Sequence, residues 1–130
     1  LFREDQNSCT IRIEDLPDPS PLFLTADYNL LSQVMINLIR NALQWTDQEK
    51  GLIVIRYGKE RDERIMVRVT DNGKGMNEEE MEKIFIPFYT TREEGTGIGL
   101  SLSRQIMRLH KGSIGVSSKP GKGSEFTLRF

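Results

Sequence analysis

Three stretches of this chain carry residue types at spacings that suit chemistry: Asn37-x-x-x-Asn41-Ala42, Asp71-Asn72-Gly73-Lys74-Gly75-Met76 and Gly95-Thr96-Gly97-Ile98-Gly99-Leu100. An ionised carboxylate only accepts hydrogen bonds, so Asp71 suits an exocyclic amine such as that of adenine. The second glycine run opens onto a helical pattern, where free amides and the positive end of a helix dipole suit phosphate. It is not a P-loop, since no Lys-Ser/Thr follows, nor a dinucleotide fingerprint, since no strand precedes it. Asn41 offers a neutral amide oxygen to a hard cation, and Mg²⁺ commonly takes one or two protein oxygens beside phosphates and water. Either glycine run alone reads as a turn. Together, and in this order, the three describe a nucleotide pocket.

Other residues border that pocket or are set aside. Phe85, Phe88 and Tyr89 flank Pro87 and are followed by Thr90-Thr91-Arg92, a pattern fit for an aromatic-anchored lid with Arg92 reaching a phosphate. His110 is the single histidine, and its place at a helix end before Lys111-Gly112 gives it a structural role. Lys111, Lys119 and Lys122 are interleaved with glycine and serine and read as solvated surface. With a formal net charge of -1 there is no electrostatic case for nucleic acid. Cys9 is the only cysteine, which excludes an intrachain disulfide and favours a reducing compartment. No apolar run approaches the roughly 20 residues of a membrane span, and no signal peptide is visible. Residue 1 is leucine, so the chain is expected to be a piece of a longer protein.

The elements that must position these residues follow from periodicity. At 130 residues the chain is expected to form one domain. Cys9, Ile11 and Ile13 alternate with polar residues and predict a strand with one buried face. Pro17, Pro19 and Pro21 make a stiff connection, and Leu22 to Leu24 a short extended piece. Thr25 or Asp27 caps a helix from about Tyr28 to Trp45, with Leu31, Val34, Met35, Leu38, Ile39 and Ala42 on its apolar face. Asn37, Asn41 and Gln44 form a polar stripe at the edge of that face, where side chains can line a pocket. Leu52–Tyr57 and Arg64–Thr70 read as strands around a charged connector, the second delivering Asp71 at its end. A short helix from Glu78 to Phe85, capped by Asn77, precedes an irregular stretch to Gly97. A second long helix runs from about Ile98 to His110 with Leu102, Ile106 and Leu109 as its core stripe. Ser113–Ser118 and Ser124–Phe130 are the last strands, joined by a Pro-Gly turn. This order predicts an α/β two-layer sandwich: a mixed, mainly antiparallel sheet with about three helices on one face.

On these residues the chain resembles the catalytic, ATP-binding domain of bacterial sensor histidine kinases, in the superfamily with gyrase, mismatch-repair MutL proteins and ninety-kilodalton heat-shock chaperones. Asn37-Leu38-Ile39-Arg40-Asn41-Ala42 with Thr46 is similar to the asparagine box, and Asp71 to Met76 to the first glycine box. Ile84-Phe85-Ile86-Pro87-Phe88-Tyr89-Thr90-Thr91 resembles the phenylalanine box, and Gly95 to Leu100 the second glycine box. Gly121-Lys122-Gly123-Ser124-Glu125-Phe126 is also similar. The resemblance implies the Bergerat fold, a left-handed βαβ sandwich holding Mg-ATP under a mobile lid. It implies Asn41 as Mg²⁺ ligand, Asn37 on the phosphate side and Asp71 on the adenine amine. Gly75 would shape that pocket and Trp45 would lie near the nucleotide, with Gly73, Met76 and Ser124 as further ATP-binding residues. Phe88, Thr90, Thr91, Arg92, Gly95, Thr96, Gly97, Ile98, Gly99 and Leu100 would form the lid and phosphate contacts. Gln44 departs from the basic residue frequent at its position, which puts one phosphate contact in doubt.

The family's ATPases typically carry glutamate at the position of Asn37, where it serves as a base toward water. Asparagine cannot take that proton, and an imidazole nucleophile needs no such base, so Asn37 favours phosphoryl transfer to histidine. The acceptor histidine of such kinases lies on a helical dimerisation region whose pattern is absent here, so this chain alone is not expected to autophosphorylate. The resemblance further implies a response-regulator partner and a homodimeric parent protein. The domain would be cytoplasmic, and its parent is open to anchoring in the inner membrane. The alternatives are a degenerate binding module and a hydrolytic ATPase of the MutL or gyrase type. A serine kinase of the anti-sigma type is disfavoured by the long phenylalanine-box segment.

Overall fold

The computed structural model describes residues 9–15, 22–46, 50–89 and 97–130. Along the chain it forms β1 (Thr10–Asp15), α1 (Tyr28–Trp45), β2 (Leu52–Lys59), β3 (Ile65–Asp71), α2 (Glu78–Lys83), α3 (Gly99–Leu109), β4 (Ser113–Ser118) and β5 (Ser124–Arg129). The five strands make one sheet in the order β1-β2-β3-β5-β4. β1 runs parallel to β2, and every other pairing is antiparallel. The mixed, mainly antiparallel two-layer sandwich is the one the sequence predicts.

Alternation sets the two faces of the sheet. Ile53, Ile55, Val69, Phe126 and Leu128 turn toward the helices and meet Val34, Leu38, Ile39 and Ala42 of α1 with Ile106 and Met107 of α3. Each Val, Leu, Ile, Phe or Met side chain among them, fully buried, contributes about 1.5–3 kcal/mol. The opposite face carries ion pairs, among them Arg56 to Glu14 at 3.0 Å and Arg129 to Glu60 at 2.7 Å. α1 is capped by Asp27, whose side chain accepts from Leu30 N. α2 carries a full capping box between Asn77 and Glu80.

α1 and α3 run antiparallel. The backbone N–H of Asp27 donates to His110 Nε2 (3.0 Å) at one end. Asn37 Nδ2 donates to Gly99 O and Ser103 Oγ (both 3.3 Å) at the other. α3 thus begins opposite the middle of α1, and the last two turns of α1, with Asn41, Gln44 and Trp45, project beyond it.

Three expectations are corrected. Cys9 and Ile11 reach the core as expected, but Ile13 is 63% exposed, because the helices pack over β3 and β4 and leave that part of edge strand β1 uncovered. The short helix stops at Lys83 rather than Phe85, since Pro87 disfavours helical backbone before it and Ile84 and Phe85 turn inward, Phe85 edge-on to Phe126. Leu109 is 74% exposed, while Ile106 is buried and Leu102 packs against the core as expected. The buried residues of α3 also include Ser101, Ser103 and Met107, and its contacts with α1 through Gly99 and Ser103 are polar, which a hydrophobic stripe does not register. Residues 16–21, with Pro17, Pro19 and Pro21, lie outside the described residues.

Candidate functional site

β3 ends at Asp71, in register with Ile53 on one side and Ser124 on the other. The side chain is 5% exposed. Its Oδ1 accepts from Gly73 N at 2.9 Å, and the Ser124 N–H also reaches the carboxylate. Burial pushes the carboxyl above its ordinary range, against the opposing pull of those two N–H donors. Asp71 is thus a fixed acceptor in a desolvated place, as recognition of a neutral amine requires.

Three segments converge on it. Lys74 N donates to Trp45 O (3.3 Å), which ties the turn to the C-terminus of α1. Lys74 Nζ stands 5.0 Å from the centroid of the Trp45 ring, a cation–π contact. On the other side the β4–β5 turn interlocks with the turn after β3. Gly121 N donates to Lys74 O (2.7 Å). Gly75 and Gly123 both have positive φ, and a Cβ on either would strike backbone: Lys119 O for Gly75 and Asp71 O for Gly123. No side chain is compatible with these two positions. Met76 is 1% exposed and donates its N–H to Ser118 Oγ (2.8 Å).

The phosphate side of the expected pocket is described in part. Asn37 is held by α3. Ser103 Oγ gives its one proton to Gly99 O (2.8 Å), so both partners of Asn37 are acceptors and the amide orientation is fixed with Nδ2 toward them. Its Oδ1 is the remaining acceptor. Asn41, half-buried, lies one turn further toward the free end of α1, and Gln44 is exposed. α3 starts at Gly99 behind Ile98, a cap residue that gives no side-chain hydrogen bond to the first turn. Leu100 packs against the core. Phe88 has φ 68°, is 74% exposed, and donates its N–H to Gly97 O (2.8 Å). That bond fastens together the two ends of the segment between them. Thr90, Thr91, Arg92, Gly95 and Thr96 lie outside the described residues.

Asn37, Asn41, Gln44 and Trp45 therefore share α1; Asp71, Gly73, Gly75, Met76 and Ser124 share one turn cluster against its C-terminus. Lys74, Ser103 and Ser118 belong to this framework and were not foreseen; a lone serine or an alternating lysine carries no period that would mark it. Among the described residues no group of His, Cys, Asp and Glu could hold a metal ion. A shallow depression on the outer sheet face, lined by Lys59 to Asp62, Met66 and Arg68, contains none of the site residues.

Comparison with known proteins agrees with this fold. The family profile described as histidine kinase-, DNA gyrase B-, and HSP90-like ATPase matches residues 26–130. The sensor histidine kinase ZraS of Escherichia coli is 38% identical over 128 residues, 98% of this chain and 27% of that protein. The chain thus spans about a quarter of such a relative's length. The nucleotide-free catalytic domain of histidine kinase ThkA superposes with a TM-score of 0.80 at 34% identity, covering 96% of this chain and 79% of that one. Full-length ShkA, whose structure is a complex with AMPPNP, superposes with a TM-score of 0.77 at 28% identity, covering 92% of this chain and 25% of that one.

Proposed function

This chain belongs to the histidine kinase-, DNA gyrase B-, and HSP90-like ATPase family, and from that premise we propose that it binds Mg-ATP and donates the γ-phosphoryl group to a histidine on a separate dimerisation region of its parent protein. One observation carries the nucleotide assignment: the buried Asp71 carboxylate, held by Gly73 and Ser124 N–H groups, at the junction of α1, the glycine turn and the β4–β5 turn. An acceptor fixed there by two backbone donors matches the adenine amine. The complex of ShkA with AMPPNP supports the same reading.

The donor set on the phosphate side fits a hard cation shared with a ligand. Asn41 would hold Mg²⁺ through its neutral amide oxygen beside phosphate and water oxygens, and the ion would supply charge neutralisation of the phosphates. The chain's own residues position. Asn37 is clamped to α3, so the helix whose first turn faces the phosphates is registered against the helix that carries Asn41. The acceptor imidazole attacks the γ-phosphorus with its own lone pair, the bond to the ADP oxygen breaks, and the phosphorylated imidazolium then sheds its other N–H proton to solvent, so no residue of this chain need deprotonate the nucleophile before attack. Asn37, lacking a basic atom, is consistent with this and unfit to activate water, which disfavours the hydrolytic ATPase reading.

The parent protein is proposed as a homodimer that passes the phosphoryl group to a response regulator, with this domain on the cytoplasmic side. Among the described residues no helix is long and apolar enough to cross a membrane. The test is reconstitution: this chain, a separately produced acceptor region and Mg-ATP should give an acid-labile phosphoryl group on the acceptor. ATP binding with no transfer would favour the degenerate-module reading.

A further inference from the structure

Ser118, at the end of β4, meets three polar groups through one hydroxyl. Its Oγ lies 2.8 Å from Met76 N, 2.7 Å from Gly123 O and 2.8 Å from Ser124 Oγ. We propose that Ser118 fixes the hydrogen-bond polarity of Ser124, making it acceptor-only, and thereby helps the base pocket select a purine with an exocyclic amine at the edge facing Asp71. The inference rests on the nucleotide reading above and deepens it.

Proton counting carries it. A serine hydroxyl has one proton and two lone pairs. Gly123 O only accepts, so it takes the Ser118 proton. Met76 N–H only donates, so it fills one lone pair of Ser118. The remaining contact is then to a lone pair, and Ser124 must supply the proton in it. Ser124 is left with lone pairs alone. It is the register partner of Asp71, is 3% exposed, and places its own N–H on the Asp71 carboxylate. The pocket therefore presents two neighbouring acceptors. An adenine edge brings an amine to them. A guanine edge brings a carbonyl, acceptor against acceptor.

The arrangement is held from outside the hydroxyl cluster. Gly75 and Gly123 let the two turns approach closely enough for Ser118 to bridge them, and Gly121 N to Lys74 O closes the other end. Ser118 touches no nucleotide in this scheme; it is a positioning residue acting through Ser124.

The test is affinity for non-hydrolysable ATP and GTP analogues, measured on wild type, Ser118→Ala, Ser124→Ala and the double variant. Losing Ser118 releases the Ser124 proton, so the preference for the ATP analogue should fall about tenfold, the weight of one neutral hydrogen bond. On the Ser124→Ala background the Ser118 change should leave the preference unaltered. Equal loss of both affinities in Ser118→Ala, or a change of preference that persists without Ser124, would overturn the proposal. Should Ser118→Ala give no cooperative melt, Ser118→Cys takes its place: its sulfur is a weak acceptor for the Ser124 proton, so the preference should fall in the same direction but by less than about tenfold. A wild type that binds neither analogue would instead overturn the nucleotide reading itself.

Discussion

Burial of Asp71 at the end of β3 trades stability for a fixed acceptor. Its carboxyl titrates above the ordinary range because burial disfavours the charge. The folded state holds that proton more tightly than the unfolded chain does. The stability linked to it is therefore present at low pH and is lost as pH rises through the raised value. ATP binding needs the ionised acceptor and should move the opposite way, weakening on acidification from a pH higher than an ordinary aspartate would give. Asp71→Asn removes the charge and keeps the shape. It should weaken binding of an ATP analogue by about 10- to 100-fold, the weight of a hydrogen bond to a charged group. The same variant should melt no lower than wild type at pH 7. Unchanged affinity in the folded variant would remove Asp71 from the base pocket. Asn41→Asp places a charge where the reading has a neutral ligand, and should alter the Mg²⁺ dependence of analogue binding; an identical titration would count against Asn41 as ligand. Asp71 was legible in the sequence because a strand period ends on it and glycines follow. Ser118 and Ser103 were not, because their meaning lies in partners 42 and 66 residues away in the chain.

At the scale of elements, α1 and α3 are registered at both ends by single side chains. His110 accepts from Asp27 N through Nε2, and its Nδ1 donates to Ile106 O at 2.8 Å, which fixes the neutral tautomer with the proton on Nδ1. The structural role expected for this histidine holds: its Nδ1–H answers a carbonyl of the last turn of α3, and its Nε2 links that helix to the start of α1. His110→Ala should cost about 1–3 kcal/mol in denaturant unfolding. A loss within error would show the link to be dispensable. The two turns that enclose Asp71 admit less change. Gly75→Ala would force a Cβ onto Lys119 O at positive φ, and should cost about 2–5 kcal/mol; a wild-type melt for that variant would contradict the interlocked turns. The long helix α1 was legible nearly to the residue, since its apolar period and Asp27 cap agree. The α3 stripe was right at Leu102 and Ile106 and wrong at Leu109, and it missed Gly99, Ser103 and His110, whose contacts with α1 are polar and carry no hydrophobic period. Ile13 shows the same limit: alternation reports which side of a strand is apolar, not whether a helix covers it.

In the whole molecule, one sheet face is given to the core and the other to ion pairs, while the site gathers at one end, where β3 stops and α1 outruns α3. The sequence order of strands and helices was enough to predict the two layers. The strand order β1-β2-β3-β5-β4 needed the structure at one point, the pairing of β3 with β5, since every other pair in the sheet joins consecutive strands. On the proposed function the chain would supply a binding and positioning half, with the acceptor histidine on a separate region. With ATP alone it should gain no phosphoryl group. The most direct measurement is calorimetric titration of this chain with a non-hydrolysable ATP analogue, with and without Mg²⁺, and with the GTP analogue in parallel. Binding that is strengthened by Mg²⁺ and selective for adenine is the predicted result. A folded chain that binds neither nucleotide, or binds both alike, would contradict the account.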